Sequence, residues 1–312
     1  MKALLEVVDK AGGSMSEASR NAVLGLIDDD SSDRTGMMAT LLVEQEVSDS
    51  YTDAMAMTNA KLLGALVKNL PAATAMPLIK SRVLTTNFSH ASILGLNALL
   101  VEAPTMLLEN FTTETPSVIC QGVSNSDPYV SDNSVLAAGK YILAESENKN
   151  FESTKTVFDS LASVIPSGHP ADTRRLALVV LRTISRLHPE YTRPHLAQLV
   201  PPIFSSVRDP VIPVKLAAEA AFLAIFDVVE SESAVFDKYM AGPGAELPAG
   251  PKRSISDYFK RVALRLATQA RERREAEGGQ GGLGLSNDEV EDERELWSIG
   301  RVDLGQDSFG VD

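Results

Sequence analysis

One cysteine, Cys120, is all that the 312 residues contain, so no internal disulfide can form. No Cys/His cluster offers the spacing of a zinc site either. Aromatic residues make up only 5% of the chain, so the core must rest on Leu, Val, Ile, Ala and Met, a palette that favours packed helices over β-sandwiches. No apolar run approaches the length of a membrane helix, and Met1–Lys10 carries Glu6 and Asp9 where a signal peptide would be apolar. Positive charge is in deficit, 29 Lys+Arg against 42 Asp+Glu, and the formal charge of −13 disfavours non-specific nucleic-acid binding by the chain as a whole. Local basic faces stay open. At 44% the hydrophobic fraction is too high for a wholly disordered chain, and a soluble intracellular protein is expected.

What is present is helical periodicity. Apolar residues recur at three- and four-residue spacing through most of the first 240 positions, as in Ala60-Leu63-Val67, Leu96-Leu99-Leu100 and Leu176-Val180-Ile184-Leu187. Pro, Gly, Asn and Asp punctuate the pattern, among them Pro104, Pro116, Pro166–Pro170 and Pro201-Pro202. Three helix starts look alike, at Asp127-Pro128, Asp172-Thr173 and Asp209-Pro210, each with an Asp read as the N-cap. The Asp residues stand 45 and 37 positions apart, the length of a two-helix repeat of the HEAT or armadillo kind, with fainter forerunners at Ser89 and Asp33. Gly64, Gly95 and Gly139 lie inside helical patterns, where close approach of stacked helices would offset their cost of about 1 kcal/mol each. The expected fold is all-α, a HEAT/armadillo-like α-solenoid over residues 1–240.

The composition then changes. Residues 241–251 read as a Pro/Gly linker. Residues 252–277 resume helical spacing, with Ile255, Tyr258, Phe259, Val262, Leu266 and Ala270 on one face and basic residues elsewhere. Residues 278–312 read as a Gly-rich break followed by an acidic, mostly irregular tail that carries the single tryptophan, Trp297.

No catalytic constellation emerges. Gly279-Gln280-Gly281-Gly282-Leu283-Gly284 satisfies a dinucleotide-binding pattern, but it follows a charged helix end and precedes acidic residues, so a flexible break is the better reading. Asp28-Asp29-Asp30 and Asp33 fail as a calcium loop, because Asp33 and Ala39 stand where glycine and glutamate are required. His90, His169, His188 and His195 are scattered without a third ligand or a carboxylate at helical spacing, and read as structural or exposed. Neither a nucleophile elbow nor a Walker loop occurs. The chain is expected not to be an enzyme and to need no metal or cofactor.

Binding faces remain. Arg175, Arg182 and Arg186, spaced by seven and four, are expected on one outward helical face opposite the Leu176/Val180/Ile184/Leu187 stripe, with Arg193 and Arg208 nearby. The 252–275 helix holds eight basic residues against three acidic ones, including Lys252, Arg253, Lys260, Arg261 and Arg265. Arginine suits phosphate oxygens bidentately, which makes these ten residues candidates for a ribosome or partner surface. The competing reading is a set of solvated faces, or a basic helix docked on the acidic remainder.

The run Arg193-Pro194-His195 to Val200-Pro201-Pro202-Ile203-Phe204, continued by Val207-Arg208-Asp209-Pro210-Val211-Ile212-Pro213-Val214-Lys215, resembles the C-terminal end of the large HEAT-repeat translational activators of general amino-acid control. That resemblance implies a cytoplasmic, ribosome-associated scaffold without enzyme activity. It would help deliver the uncharged-tRNA signal to the kinase of initiation factor two alpha, which such proteins contact through the kinase's RWD domain. It also implies that the kinase contact lies mostly upstream of this chain, which is far shorter than full-length members and lacks their elongation-factor-like segment. No kinase-binding residue can be carried over, and no membrane or specific DNA partner is implied. A general protein-binding solenoid of the transport or phosphatase-scaffold type, without ribosome contact, is the alternative.

Overall fold

The structure is a computed structural model and describes residues 60–276, apart from 62, 66, 69, 149–150, 167 and 229–232. The polar turn at Asp28–Asp33, the Gly-rich break and the acidic tail lie outside the described residues. Every regular element among the described residues is helical. In order these are α1 (Ala72–Leu78), a π-helical turn (Ile79–Val83), α2 (His90–Glu102), α3 (Pro104–Asn110), α4 (Glu114–Val123), α5 (Pro128–Asn148) and α6 (Phe151–Val164). Then come α7 (Ala171–Leu187), the short α8 (Pro189–Thr192) with a 3-10 turn (Arg193–His195), α9 (Leu196–Ser206), α10 (Ile212–Ile225), α11 (Ala234–Ala241), a 3-10 turn (Pro243–Glu246) and α12 (Ala249–Ala276). Two compact units divide them, one taking the described residues up to Ser160 and the other those from Leu161.

In the first unit α5 packs on both α2 and α4. Helix α2 starts on a capping box: the Ser89 hydroxyl accepts from Ser92 N at 3.1 Å, and the Ser92 hydroxyl accepts from Ser89 N at 3.0 Å. Two of the N–H groups orphaned at this end are thereby bonded, as the sequence forerunner at Ser89 anticipated. Helix α2 is buried on all sides from Ser92 to Leu100. Helix α5 is equally enclosed, and several of its polar residues bond within the protein, although the buried Ser134 hydroxyl has no hydrogen-bond partner. Ser131 donates to Val123 O at 2.8 Å, Tyr141 to Glu145 at 2.9 Å, and Ser146 to Leu143 O at 2.6 Å. Gly122 permits the approach of α4 to α5, because a Cβ there would fall on the Ser134 side chain. Gly64 serves a similar approach, against Glu102 and Ala98 O, whereas a Cβ at Gly95 would make only ordinary contacts with Val83 and Leu63.

In the second unit α7 and α10 form the most extensive helix pair. The other organising feature gathers Phe204, Phe222, Phe226, Phe236, Tyr239, Tyr258 and Phe259. Phe236 stacks on Phe259 at 3.8 Å, and Phe226 meets Phe236, Tyr239 and Phe222 at 4.9–5.5 Å. Tyr258 bridges Phe222 and Phe204 at 5.2 and 5.7 Å. Edge-to-face pairs of this kind add about 0.5–1.5 kcal/mol each beyond the area they bury. Few aromatics in the whole chain thus still yield one dense cluster, and it ties α12 to α10 and α11. The apolar face expected on the basic helix is the docked one: Ile255, Phe259, Val262 and Ala263 are buried.

Several local expectations need correction. Asp127 does cap α5, accepting from Tyr129 N at 2.9 Å. Asp172, however, lies within the first turn of α7, whose N-cap is Pro170, and acts there through the helix dipole. Asp209 precedes the α10 N-cap, Val211, and forms an Asx turn by accepting from Val211 N at 2.9 Å. Pro201 and Pro202 do not end a helix but sit inside α9. Their missing N–H groups would have served Ala197 and Gln198, both exposed residues whose carbonyls water can reach. The expected linker at 241–251 is largely structured: the 3-10 turn packs on α11 with Gly244 buried, and α12 begins at Ala249, with Gly250 and Pro251 tolerated in its first turn.

Candidate interaction surfaces

Side-chain bonds between corresponding positions of neighbouring repeats recur at one separation along the chain. In the first unit His90 meets Asp127 at 3.3 Å, Asn97 donates to Asn133 O at 2.9 Å, Lys140 donates to Asn97 Oδ1 at 2.7 Å, and the Cys120 thiol donates to Thr156 O at 3.5 Å. In the second, Arg174 pairs with Asp209, and Ser206 donates to Ile165 O at 3.5 Å. Every one of these links residues 35 to 43 positions apart. Helix starts at His90, Pro128, Ala171 and Ile212 keep the same interval. Within each compact unit one helical repeat therefore bonds to the following one at a single repeat length, as in a helical-repeat protein.

That class has a family. Residues 89–237 match the model described as GCN1-like, C-terminal HEAT repeats. The chain is 34% identical over 338 aligned positions to the eIF-2-alpha kinase activator GCN1 of Saccharomyces cerevisiae, an alignment covering 98% of this chain and 12% of that protein. It is 24% identical over 252 positions to Protein ILITYHIA of Arabidopsis thaliana, covering 78% of this chain and 9% of that one. No solved structure matches. Residues 89–237 thus belong to the GCN1-like C-terminal HEAT repeats, in a chain that spans about an eighth or less of these relatives.

The ten basic candidates separate into distinct settings. Arg175 is half-buried, Arg182 is only 4% exposed and Arg186 is exposed, so the outward stripe expected of these three does not form. Helix α7 is enclosed on nearly all sides, and it is Leu187, expected in the core, that stands 50% exposed. Arg193 lies 3.9 Å from Asp227, and the Arg208 guanidinium sits over the Phe204 ring at 5.7 Å. On α12, Lys252 is half-buried, Arg253 faces Asp257 one turn on at 3.7 Å, and Arg265 pairs with Glu219 of α10. Arg261 lies over the Tyr258 ring at 5.9 Å, and burial raises the Tyr258 hydroxyl to about 12. Arg253, Lys260 and Arg261 are exposed beside Leu264, itself 68% exposed, so α12 presents an outward basic face with an apolar residue in it.

Two features escaped the sequence reading. A groove of about 480 Å³ runs between α7, the end of α10 and α12, lined by Arg182, Arg186, Leu223, Asp227, Val228 and Leu266 among others. In the first unit Lys140 is 2% exposed, and burial lowers its ammonium to about 7. Among the described residues no three His, Cys, Asp or Glu side chains converge as a metal site, and no single helix is long and apolar enough to cross a membrane.

Proposed function

We propose that the chain is a non-catalytic, cytoplasmic scaffold segment: a solenoid of degenerate HEAT repeats that helps seat a translational activator on ribosomes and so supports stimulation of the kinase of initiation factor two alpha under amino-acid starvation. The observation that carries this reading is the similarity to yeast GCN1 along 98% of the chain, a relative named for activating that kinase. The outward basic face of α12 is consistent with it. Arg253, Lys260 and Arg261 project from a helix anchored by its aromatic face, a rigid placement of cations that suits ribosomal phosphates. Of the ten candidate residues these three are assigned the ribosome contact. Arg265 holds α12 to α10 through Glu219. Affinity would build through multivalency, weak contacts along a long repeat array adding by effective concentration.

The test is a pull-down of the chain with purified ribosomes and, separately, with the kinase's RWD domain. The reading expects ribosomes to be retained and the RWD domain to be retained weakly or not at all. Capture of folded transport or phosphatase components with no ribosome binding would instead support a general protein-binding solenoid.

A further inference from the structure

We infer that the exposed aliphatic and basic surface shared by α10 and α12 is the docking site of residues 283–294 of the same chain, an acidic segment with aliphatic anchors. This goes beyond the scaffold reading and does not rest on it.

Among the described residues five large aliphatic side chains stand exposed, and three of them, Ile212, Leu216 and Leu264, belong to this pair of helices. Phe226 meets Phe259, Phe222 meets Tyr258, and Glu219 pairs with Arg265, so α10 and α12 run antiparallel. Ile212 and Leu216 precede Glu219 and therefore lie beside the part of α12 that follows Arg265. Leu264 is on the outward side of α12, with Lys260 and Arg261 exposed one turn earlier. Residues 252–275 hold eight basic side chains against three acidic ones, and adding Glu219 still leaves eight to four. Exposed aliphatic groups set among cations call for an occupant that supplies apolar cover and negative charge together.

Residues 283–294 lie outside the described residues, and their sequence has both properties. They hold five acids, one arginine and three aliphatic residues, Leu283, Leu285 and Val290. Val290 has two acids directly before it and three directly after it, the converse of Leu264 among its cations. Reach agrees as well. Leu264 lies twelve residues before Ala276, where α12 ends, which is about 18 Å back along the helix. The fourteen residues from 277 to 290, five of them glycine, have the r.m.s. span of a glycine-rich chain, about 20 Å. A tether whose span matches the distance gives the highest effective concentration, so modest contacts suffice. Nucleic-acid phosphate suits the cations but brings no aliphatic group for Ile212, Leu216 and Leu264. Where ribosomes use Lys260 and Arg261, the segment competes with them for those cations.

The experiment treats the full chain with a carbodiimide, without ribosomes, and maps carboxylate–lysine cross-links by trypsin digestion and mass spectrometry. Lys260 joined to a carboxylate within 288–293 is expected as the main product of that segment. Leu264→Ser, Val290→Ser and the double variant Ile212→Ser/Leu216→Ser should each lower its yield about fivefold or more, as loss of an apolar anchor does. Val101→Ser, at an exposed aliphatic position of α2, should stay within about twofold of the parent. Val290 lies outside the described helices, so its variant keeps the test valid even where circular dichroism shows that another unfolds. A Lys260 yield indifferent to both Leu264→Ser and Val290→Ser would reduce the contact to collisions of a tethered segment and overturn the inference. So would the lack of a Lys260 product, or a preference of the segment for distant lysines such as Lys80 or Lys155. Products joining light to heavy-isotope chains in a mixture of the two would assign the surface to a second copy and overturn it too. No ribosome enters the measurement, so its failure and that of the ribosome pull-down are separate results.

Discussion

Arg174, in the first turn of α7, forms a buried ion pair with Asp209, two residues before the α10 N-cap, both side chains being about 5% exposed. The guanidinium also donates from Nε to His169 O at 3.1 Å, and the carboxylate accepts from Val211 N. The pair thus fastens the start of one repeat to the start of the next. Removing one partner leaves a buried charge uncompensated, so Arg174→Ala and Asp209→Ala should each cost about 3–5 kcal/mol. The double variant should cost clearly less than the two single losses added together. Urea unfolding of the three variants measures this; additive losses would show that the pair does not act as a unit.

Lys140 sets a pH dependence. The unfolded chain keeps this ammonium protonated up to its ordinary 10.5, while the folded protein releases the proton near 7. Between those values the unfolded state binds more protons, so stability should rise with pH by up to about 1.4 kcal/mol per unit. Below pH 7 both states are charged and the cost of burial is constant. Urea midpoints between pH 7 and 9.5 should climb in the parent and stay flat in Lys140→Met. Equal slopes in both would assign the effect to another group.

Gly122 tests the spacing of α4 against α5. A methyl group there meets Ser134 Oγ and Phe88, so Gly122→Ala should destabilise by about 1–3 kcal/mol despite alanine's better helix propensity. Gly122→Ala combined with Ser134→Gly should recover part of the loss, as read by thermal melting.

The anchoring of α12 rests on aromatic packing more than on charge. Phe259→Ala should cost about 3 kcal/mol or more and expose the arginines of α12 to trypsin. Lys260→Glu, one residue on and exposed, should change stability by less than about 0.5 kcal/mol.

Much of the helical order was legible in the sequence because its signals are local. The Ser89 start, the Asp127 cap and the apolar face of α12 each involve residues within a turn or two of one another. The bonds that join repeats were not, because Arg174, Asn97 and Lys140 find partners 35 to 43 positions away. A basic side chain in isolation looks solvated, and only the neighbouring helix shows that it is enclosed. The same reason misplaced Arg182: α7 is covered on nearly every side, so spacing by seven and four marks a helical face without marking an outward one. The groove was beyond reach for a further reason, since its lining comes from three helices spread over some eighty positions.

The most direct measurement is cosedimentation of the chain with purified ribosomes across a salt series, repeated with Arg253, Lys260 and Arg261 reversed to Glu. The scaffold account predicts saturable binding that weakens steeply with salt, with both the affinity and the salt slope reduced in the reversed variant. Binding that neither salt nor charge reversal alters, or no cosedimentation at all, would contradict it.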